Sequence, residues 1–260
     1  MNSMGGQVMH NYRIHLAVSV LALGAACSDS SGAGISVAAL KQNDATPVAM
    51  DSAGTAFTME QGLLHLRHIE LDLPSSRSCS DLADQLVGAT CHNGNTASDE
   101  AKIRIAGPIV VDLVAGTSTP SLADVVIPDG TYRRVDLRVD DGLPSQGVVT
   151  PGSPLDDNAL AVIATFQYEG AAATLDLRLN FDEDIRIEQP GGVTVAAGED
   201  LVARFAIANW LGSVDLAACV ATLTPDAGRF VVDDRNDGAC MGIEDTVKRT
   251  MKESGDLSHH

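Results

Sequence analysis

The chain has 260 residues with a formal net charge of −18, and aromatic residues make up only 3% of it. A surface this acidic argues against binding nucleic acid or anionic lipid through the folded part, because both would be repelled. With so few aromatic rings, the core must be built from Val, Leu, Ile and Ala.

The N-terminus carries an export signal. Leu16–Ala26 is an apolar run without a charged residue, and it is too short for the roughly 20 residues of a membrane-spanning helix. The segment LALGAAC, which ends at Cys27, resembles the lipobox of bacterial lipoproteins, whose cysteine is lipidated and becomes the mature N-terminus. We therefore predict a lipoprotein signal peptide over residues 1–27 and a flexible polar tether over residues 28–33. The alternative is an ordinary signal peptide with an unmodified Cys27.

The cysteine count agrees with export. The chain has five cysteines, and setting Cys27 aside for the lipid leaves an even number, as expected for disulfides in an oxidising compartment. Three pairings are open. We favour the local one, Cys79–Cys91 with Cys219–Cys240, because each pair brackets an irregular, polar segment. Each bridge would stabilise the fold by roughly 3 kcal/mol. Zinc binding is the alternative, although no CxxC spacing occurs.

Residues 34–254 are predicted to form one all-β domain, an antiparallel β-sandwich with a short C-terminal α-helix. Short stretches of alternating apolar and polar residues recur with almost no helical pattern between them, which is typical of a sandwich rather than an α/β fold. The clearest stretch follows the turn Pro128–Gly130, where Val135, Leu137 and Val139 alternate with charged residues. In chain order, the predicted strands are 34–40, 63–73, 103–114, 131–140, 160–168, 175–181, 185–187, 193–196 and 201–207.

Local irregularities refine this prediction. The apolar phase of 63–73 switches around Arg67–His68, which predicts a β-bulge. Residues 143–157 are rich in Pro, Gly and Ser and are predicted to form a long exposed loop. Glu169–Gly170 is predicted to turn a hairpin, and Ser78–Cys91 to contain a short helical turn.

Only the C-terminal end has a helical pattern. Ile243, Val247 and Met251 recur every four residues, which predicts a helix over 243–254. Glu244 and Lys248 are spaced for a favourable ion pair on that helix. The tail after the helix is predicted to be frayed.

Two segments, residues 109–141 and 173–187, resemble a bacterial lipoprotein family of unknown function with a prealbumin- or immunoglobulin-like β-sandwich domain. The family pattern joins a strand ending in Asp-Leu to a turn containing Gly-Thr-Tyr and a further strand. The resemblance covers about residues 34–209 and implies an all-β sandwich on an envelope-anchored protein, and it brings no catalytic residue with it. The matching residues are Asp112, Leu113, Pro128, Gly130, Thr131, Tyr132 and Val135.

Chemistry-bearing motifs are scarce. The sequence contains no nucleophile elbow, zincin, P-loop or dinucleotide-binding motif. His65, His68 and Glu70 could supply two imidazoles and a carboxylate to a metal if the bulge turns them to one face. The more ordinary interpretation is a set of outward residues on a solvated sheet face.

Two acidic groups are further candidates. Asp182-Glu183-Asp184 could form a calcium-binding rim, or Asp182 and Asp184 could act as paired carboxylates of a hydrolase. The ordinary interpretation is a charged turn at the end of a strand.

The loop that begins at Asp233 is the most specific candidate. Asp233, Asp237, Gly238 and Glu244 match positions 1, 5, 6 and 12 of an EF-type calcium loop. Arg235 occupies position 3, where a ligand oxygen is needed. The alternative is an acidic, disulfide-closed loop whose glutamate lies in the first turn of a helix.

Together these features predict a non-enzymatic, envelope-anchored lipoprotein that displays a β-sandwich binding or structural module. The expected partners are the membrane, through the N-terminal lipid, and an unidentified protein or envelope ligand, with no nucleic acid. No cofactor is expected, with calcium as the alternative. The outer membrane is favoured because Ser28 is not the aspartate associated with inner-membrane retention. A calcium-dependent adhesion module and an extracytoplasmic hydrolase remain the alternative functions.

Overall fold

The structure is a computed structural model that describes the chain from residue 32 onward, with short gaps. The predicted signal peptide, Cys27 and the tether up to residue 31 lie outside the described residues, so the lipidation of Cys27 stays a prediction. Among the described residues, no helix is long and apolar enough to cross a membrane. The described ranges are 32–40, 45–73, 77–82, 84–93 and 101–260.

The described residues form an all-β, sandwich-like fold, as predicted. Two α-helices accompany the strands, α1 (Leu216–Val220) and α2 (Ile243–Glu253), and the second confirms the predicted C-terminal helix. The strands are β1 (Gly34–Ala39), β2 (Val48–Met50), β3 (Ala56–Asp72), β4 (Thr90–His92), β5 (Lys102–Asp112), β6 (Thr117–Thr119), β7 (Gly130–Val139), β8 (Leu160–Tyr168), β9 (Ala171–Leu179), β10 (Glu183–Val195), β11 (Asp200–Phe205), β12 (Arg229–Val232) and β13 (Gly255–His259).

The long strand β3 organises the larger sheet. Its first half pairs with β2 and β8, and its second half pairs with β5 and β7. The register shifts between Leu66 and His68, which confirms the predicted bulge around Arg67. Gly107 of β5 lies opposite, where an added Cβ would be 2.5 Å from the carbonyl oxygens of Leu66 and Arg67. Such a bulge bends a strand and lets it pass from one layer to another.

The other strands extend this sheet in the order β10-β7-β3-β8-β9-β12, with β4 and β6 attached to β5. β8 and β9 form the predicted hairpin, and Glu169 and Gly170 adopt the positive φ angles of 50° and 80° that a tight hairpin turn requires. The Tyr132 hydroxyl donates to the Pro128 carbonyl at 2.5 Å, which fixes the turn before β7.

A smaller sheet of β1, β11 and β13 completes the described fold. β1 runs parallel to β11, and β12 runs parallel to β9, so the predicted antiparallel sandwich contains two parallel pairs. β13 corrects the expectation of a frayed tail, because residues 255–259 pair antiparallel with β11. The single apolar residue of this strand, Leu257, is buried.

The core is largely aliphatic, as the composition requires, and Val135, Leu137 and Val139 of β7 are fully buried in it. The predicted apolar stripe of α2 also lies in the core, with Ile243, Val247 and Met251 buried. The segment 143–157, expected to be exposed, instead buries Val149 and Leu155 in a small apolar cluster with Ala161 of β8. This segment therefore covers part of the sheet rather than projecting into solvent.

Candidate functional site

A charged groove of about 340 Å³ lies on the outer face of β3, β5, β7 and β10. The four strands lie side by side in the order β5-β3-β7-β10. Each turns its apolar residues into the core and its charged residues outward, so period-two alternation builds a continuous polar face. The residues that line the groove are His68, Glu70, Lys102, Asp136, Arg138, Asp184 and Arg186.

Asp136 is the centre of an ion-pair network in this groove. Its carboxylate lies 3.1 Å from Lys102 Nζ, Arg134 Nε and Arg186 Nε. Lys102 Nζ also lies 3.1 Å from Glu70 Oε2. Burial lowers the pKa of Lys102, but the hydrogen bonds to Glu70 and Asp136 outweigh it and raise that pKa overall. The hydrogen bond to Asp136 likewise raises the pKa of Arg186. Lys102 and Arg186 therefore stay charged at neutral pH.

The predicted carboxylate pair lies at one end of the groove. Asp182 and Asp184 both contact the guanidinium of Arg138, Asp184 at 3.1 Å. Their side chains are 52% and 70% exposed. The two carboxylates are therefore ion-paired and open to solvent, whereas the general acid of a hydrolase usually works in a water-excluded pocket. The hydrolase hypothesis stays a prediction.

His65 and His68 lie on either side of the bulge in β3 and have different surroundings. His65 is fully buried, and its Nδ1 lies 2.8 Å from the carbonyl oxygen of Asp140. His68 lines the groove, and its Nδ1 lies 2.8 Å from Nη2 of Arg104. Within the described ranges, no cluster of three or more His, Cys, Asp or Glu side chains is placed to hold a metal ion.

The four cysteines other than Cys27 form the favoured local pairs. Cys79 and Cys91 are bridged with Cα atoms 5.4 Å apart, and Cys219 and Cys240 with Cα atoms 4.7 Å apart. The first bridge links a short 3₁₀ turn to β4, and the second links α1 to the turn that precedes α2. Cys27 lies outside the described residues.

Two of the predicted calcium ligands, Asp233 and Glu244, are ion-paired within the protein. Arg235 donates from its backbone and from Nε to the Asp233 carboxylate, each at 3.0 Å. Glu244 lies in the first turn of α2 and pairs with Lys248 at 3.3 Å. Asp237 precedes the 3₁₀ turn Gly238–Cys240. The guanidinium of Arg235, at loop position 3, thus pairs with the carboxylate of Asp233, at position 1. Calcium binding stays a prediction.

Sequence reasoning did not find Asp141, which follows β7. Burial, together with the neighbouring carboxylates of Asp140, Asp157 and Asp182, raises the pKa of Asp141 to about 6. Its Oδ1 is buried without a hydrogen-bond partner among the described residues. The run of two aspartates at the end of a strand was visible in the sequence, but the approach of Asp157 and Asp182 depends on tertiary folding.

The groove itself was also missed as a unit. The outward charges of β7 were recognised, but their partners come from three other strands whose register the sequence does not give. Comparisons of the chain with protein-family models, characterised proteins and solved structures returned no match. Its function is therefore inferred from the residues and their geometry.

Proposed function

We propose that the chain is a non-catalytic module of the bacterial cell envelope, anchored by lipid on Cys27 and presenting its β-sandwich to an envelope ligand or protein. The observation that carries the proposal is the cysteine arrangement. The chain has five cysteines, and four are joined in two bridges. Bridges of this kind form in oxidising compartments, and the remaining cysteine directly follows the export segment.

The charged groove is the proposed contact surface for the ligand. It is concave, and it presents cations and anions in fixed positions, which suits recognition of a polar partner. Each of its three lining carboxylates is ion-paired with a lysine or arginine. Such pairing supports binding rather than catalysis, because a general base or nucleophile needs a free, activated group.

The anchor is tested by replacing its cysteine. In cells that express the full chain, Cys27→Ser should abolish incorporation of a labelled fatty acid and move the protein from the membrane to the soluble fraction. Ser30→Ala in the tether is the matched control and should leave both unchanged. A Cys27→Ser protein that still sediments with membranes after a high-salt wash would contradict the lipid anchor.

The groove is tested separately by site-specific photo-crosslinking in intact cells. A probe placed at Arg133, an exposed residue of the groove strand β7, should give a defined adduct that Arg138→Ala weakens at least several-fold. Arg249→Ala on α2 is the control, because Arg249 and its partner Glu253 are both exposed and neither lines the groove. An adduct that is insensitive to Arg138→Ala would place the contact surface elsewhere.

A further inference from the structure

We propose that His68 and Arg104 form a pH switch at the edge of the groove. Arg104 Nη2 lies 2.8 Å from His68 Nδ1. A guanidinium has only donors, so Nδ1 must accept, and the imidazole must be neutral with its proton on Nε2. The contact therefore exists only while His68 is unprotonated.

The surroundings of His68 are charged on every side that packs against it. β3 contributes Arg67 and Glu70, β5 contributes Arg104, β7 contributes Arg138 and β10 contributes Asp184. Burial lowers the pKa of His68 below 6.5, and Arg104 and Arg67 lower it further, against the opposing effect of Glu70 and Asp184. The neutral imidazole is thus the form that the folded protein favours at neutral pH.

Protonation of His68 replaces its contact with Arg104 by a contact with Glu70. An imidazolium has no acceptor for Arg104, and the two cations then repel each other. His68 Nε2 already lies 3.8 Å from Glu70 Oε1, so the charged ring can pair with that carboxylate instead. The Arg104 side chain is 39% exposed and can therefore turn away from His68 into solvent.

The switch also changes the charge of the groove. The lining residues comprise three cations and three anions besides His68, so protonation turns a balanced groove into a cationic one. If the groove is the contact surface of the proposed function, lowering the pH would strengthen the binding of an anionic ligand there. The switch itself is independent of any ligand and of the anchor.

Nuclear magnetic resonance of the full chain, labelled on histidine rings and arginine side chains, tests the switch without a ligand. Between pH 7.5 and 5.0, His68 should titrate with a midpoint below 6.5. The protection of the Arg104 Nη protons against exchange should fall with the same midpoint. His68→Gln keeps an acceptor oxygen but cannot titrate, so Arg104 should stay protected down to pH 5.0.

His92→Gln is the control, because His92 is exposed on β4 and its Nε2 lies 3.1 Å from the Thr90 hydroxyl rather than from an arginine. It should leave the Arg104 transition unchanged. The proposal is overturned if Arg104 loses protection equally in the His68→Gln protein, or if His68 titrates while Arg104 does not respond. Because neither readout involves membranes or a partner, such a failure would leave the proposed function untouched.

Discussion

Asp51→Ala should lower the free energy of unfolding by about 3 kcal/mol, because one buried carboxylate holds two distant parts of the chain together. Its Oδ1 accepts from the backbone N–H groups of Ala53 at 3.0 Å and Thr55 at 2.7 Å, in the turn between β2 and β3. Its Oδ2 accepts from the N–H of Ala217 at 2.9 Å, at the start of α1. Hydrogen bonds to a charged group contribute about 1.5–3 kcal/mol each, but they are not additive where water can reach the freed groups.

Urea denaturation followed by the fluorescence of Trp210 measures this loss, since Trp210 is the single tryptophan and is 1% exposed. At roughly 2–4 °C per kcal/mol for a chain of this size, the melting temperature should fall by about 6–12 °C. Asp51→Asn should lose less, because an amide oxygen can keep the turn while its NH₂ opposes Ala217. Asp215→Ala removes only the helix cap on Ala218 and should cost about 1 kcal/mol. An Asp51→Ala protein no less stable than Asp215→Ala would refute the proposed linkage.

Asp176→Ala should cost about 3 kcal/mol in the same urea assay, because it removes a fully buried carboxylate that holds two arginines and pins β12 to β9; a loss below 1 kcal/mol would contradict this. Asp141→Asn should stabilise the protein at pH 7 by about 1 kcal/mol after allowance for solvent screening. Since the folded pKa of Asp141, about 6, lies above the ordinary aspartate pKa of about 3.9, ionisation weakens the fold as pH rises through that window, and the gain should vanish at pH 4. Deletion of residues 255–260 exposes the edge of β11 and should produce dimers or aggregates on size-exclusion chromatography. Millimolar calcium should leave the melting temperature unchanged, because the Arg235 guanidinium pairs with the Asp233 carboxylate; a rise that a chelator reverses would favour the calcium module instead.

The elements that could be predicted are those specified by their own residues. β7 alternates Val135, Leu137 and Val139 with charges, and this period needs no partner to be visible. The bulge near Arg67 was also visible, because a change of apolar phase within one strand can only keep the core covered if an extra residue is inserted. The local disulfide pairing was also predictable, because each pair brackets an irregular, polar segment, of 12 and 21 residues in separation.

The elements that were missed depend on distant partners. β13 has one apolar residue, Leu257, and is a strand only because β11 offers it an open edge. β12 is four residues long and joins β9 in parallel, which its own sequence does not indicate. The groove is a similar case, because Lys102 meets Asp136 only after β3 has aligned β5 with β7.

The placement of the cations explains why the groove rather than the rest of the surface suits a charged ligand. The chain carries 17 lysines and arginines against 35 acidic residues, and an approaching anion is repelled by most of such a surface. On the four groove strands, however, five outward cations face the carboxylates: Lys102, Arg104, Arg134, Arg138 and Arg186. At physiological salt, exposed charges more than about 8 Å away are largely screened. A ligand in the proposed groove would therefore experience mainly the charges that line it, three cations and three anions besides His68, and one added proton on His68 would make their sum positive.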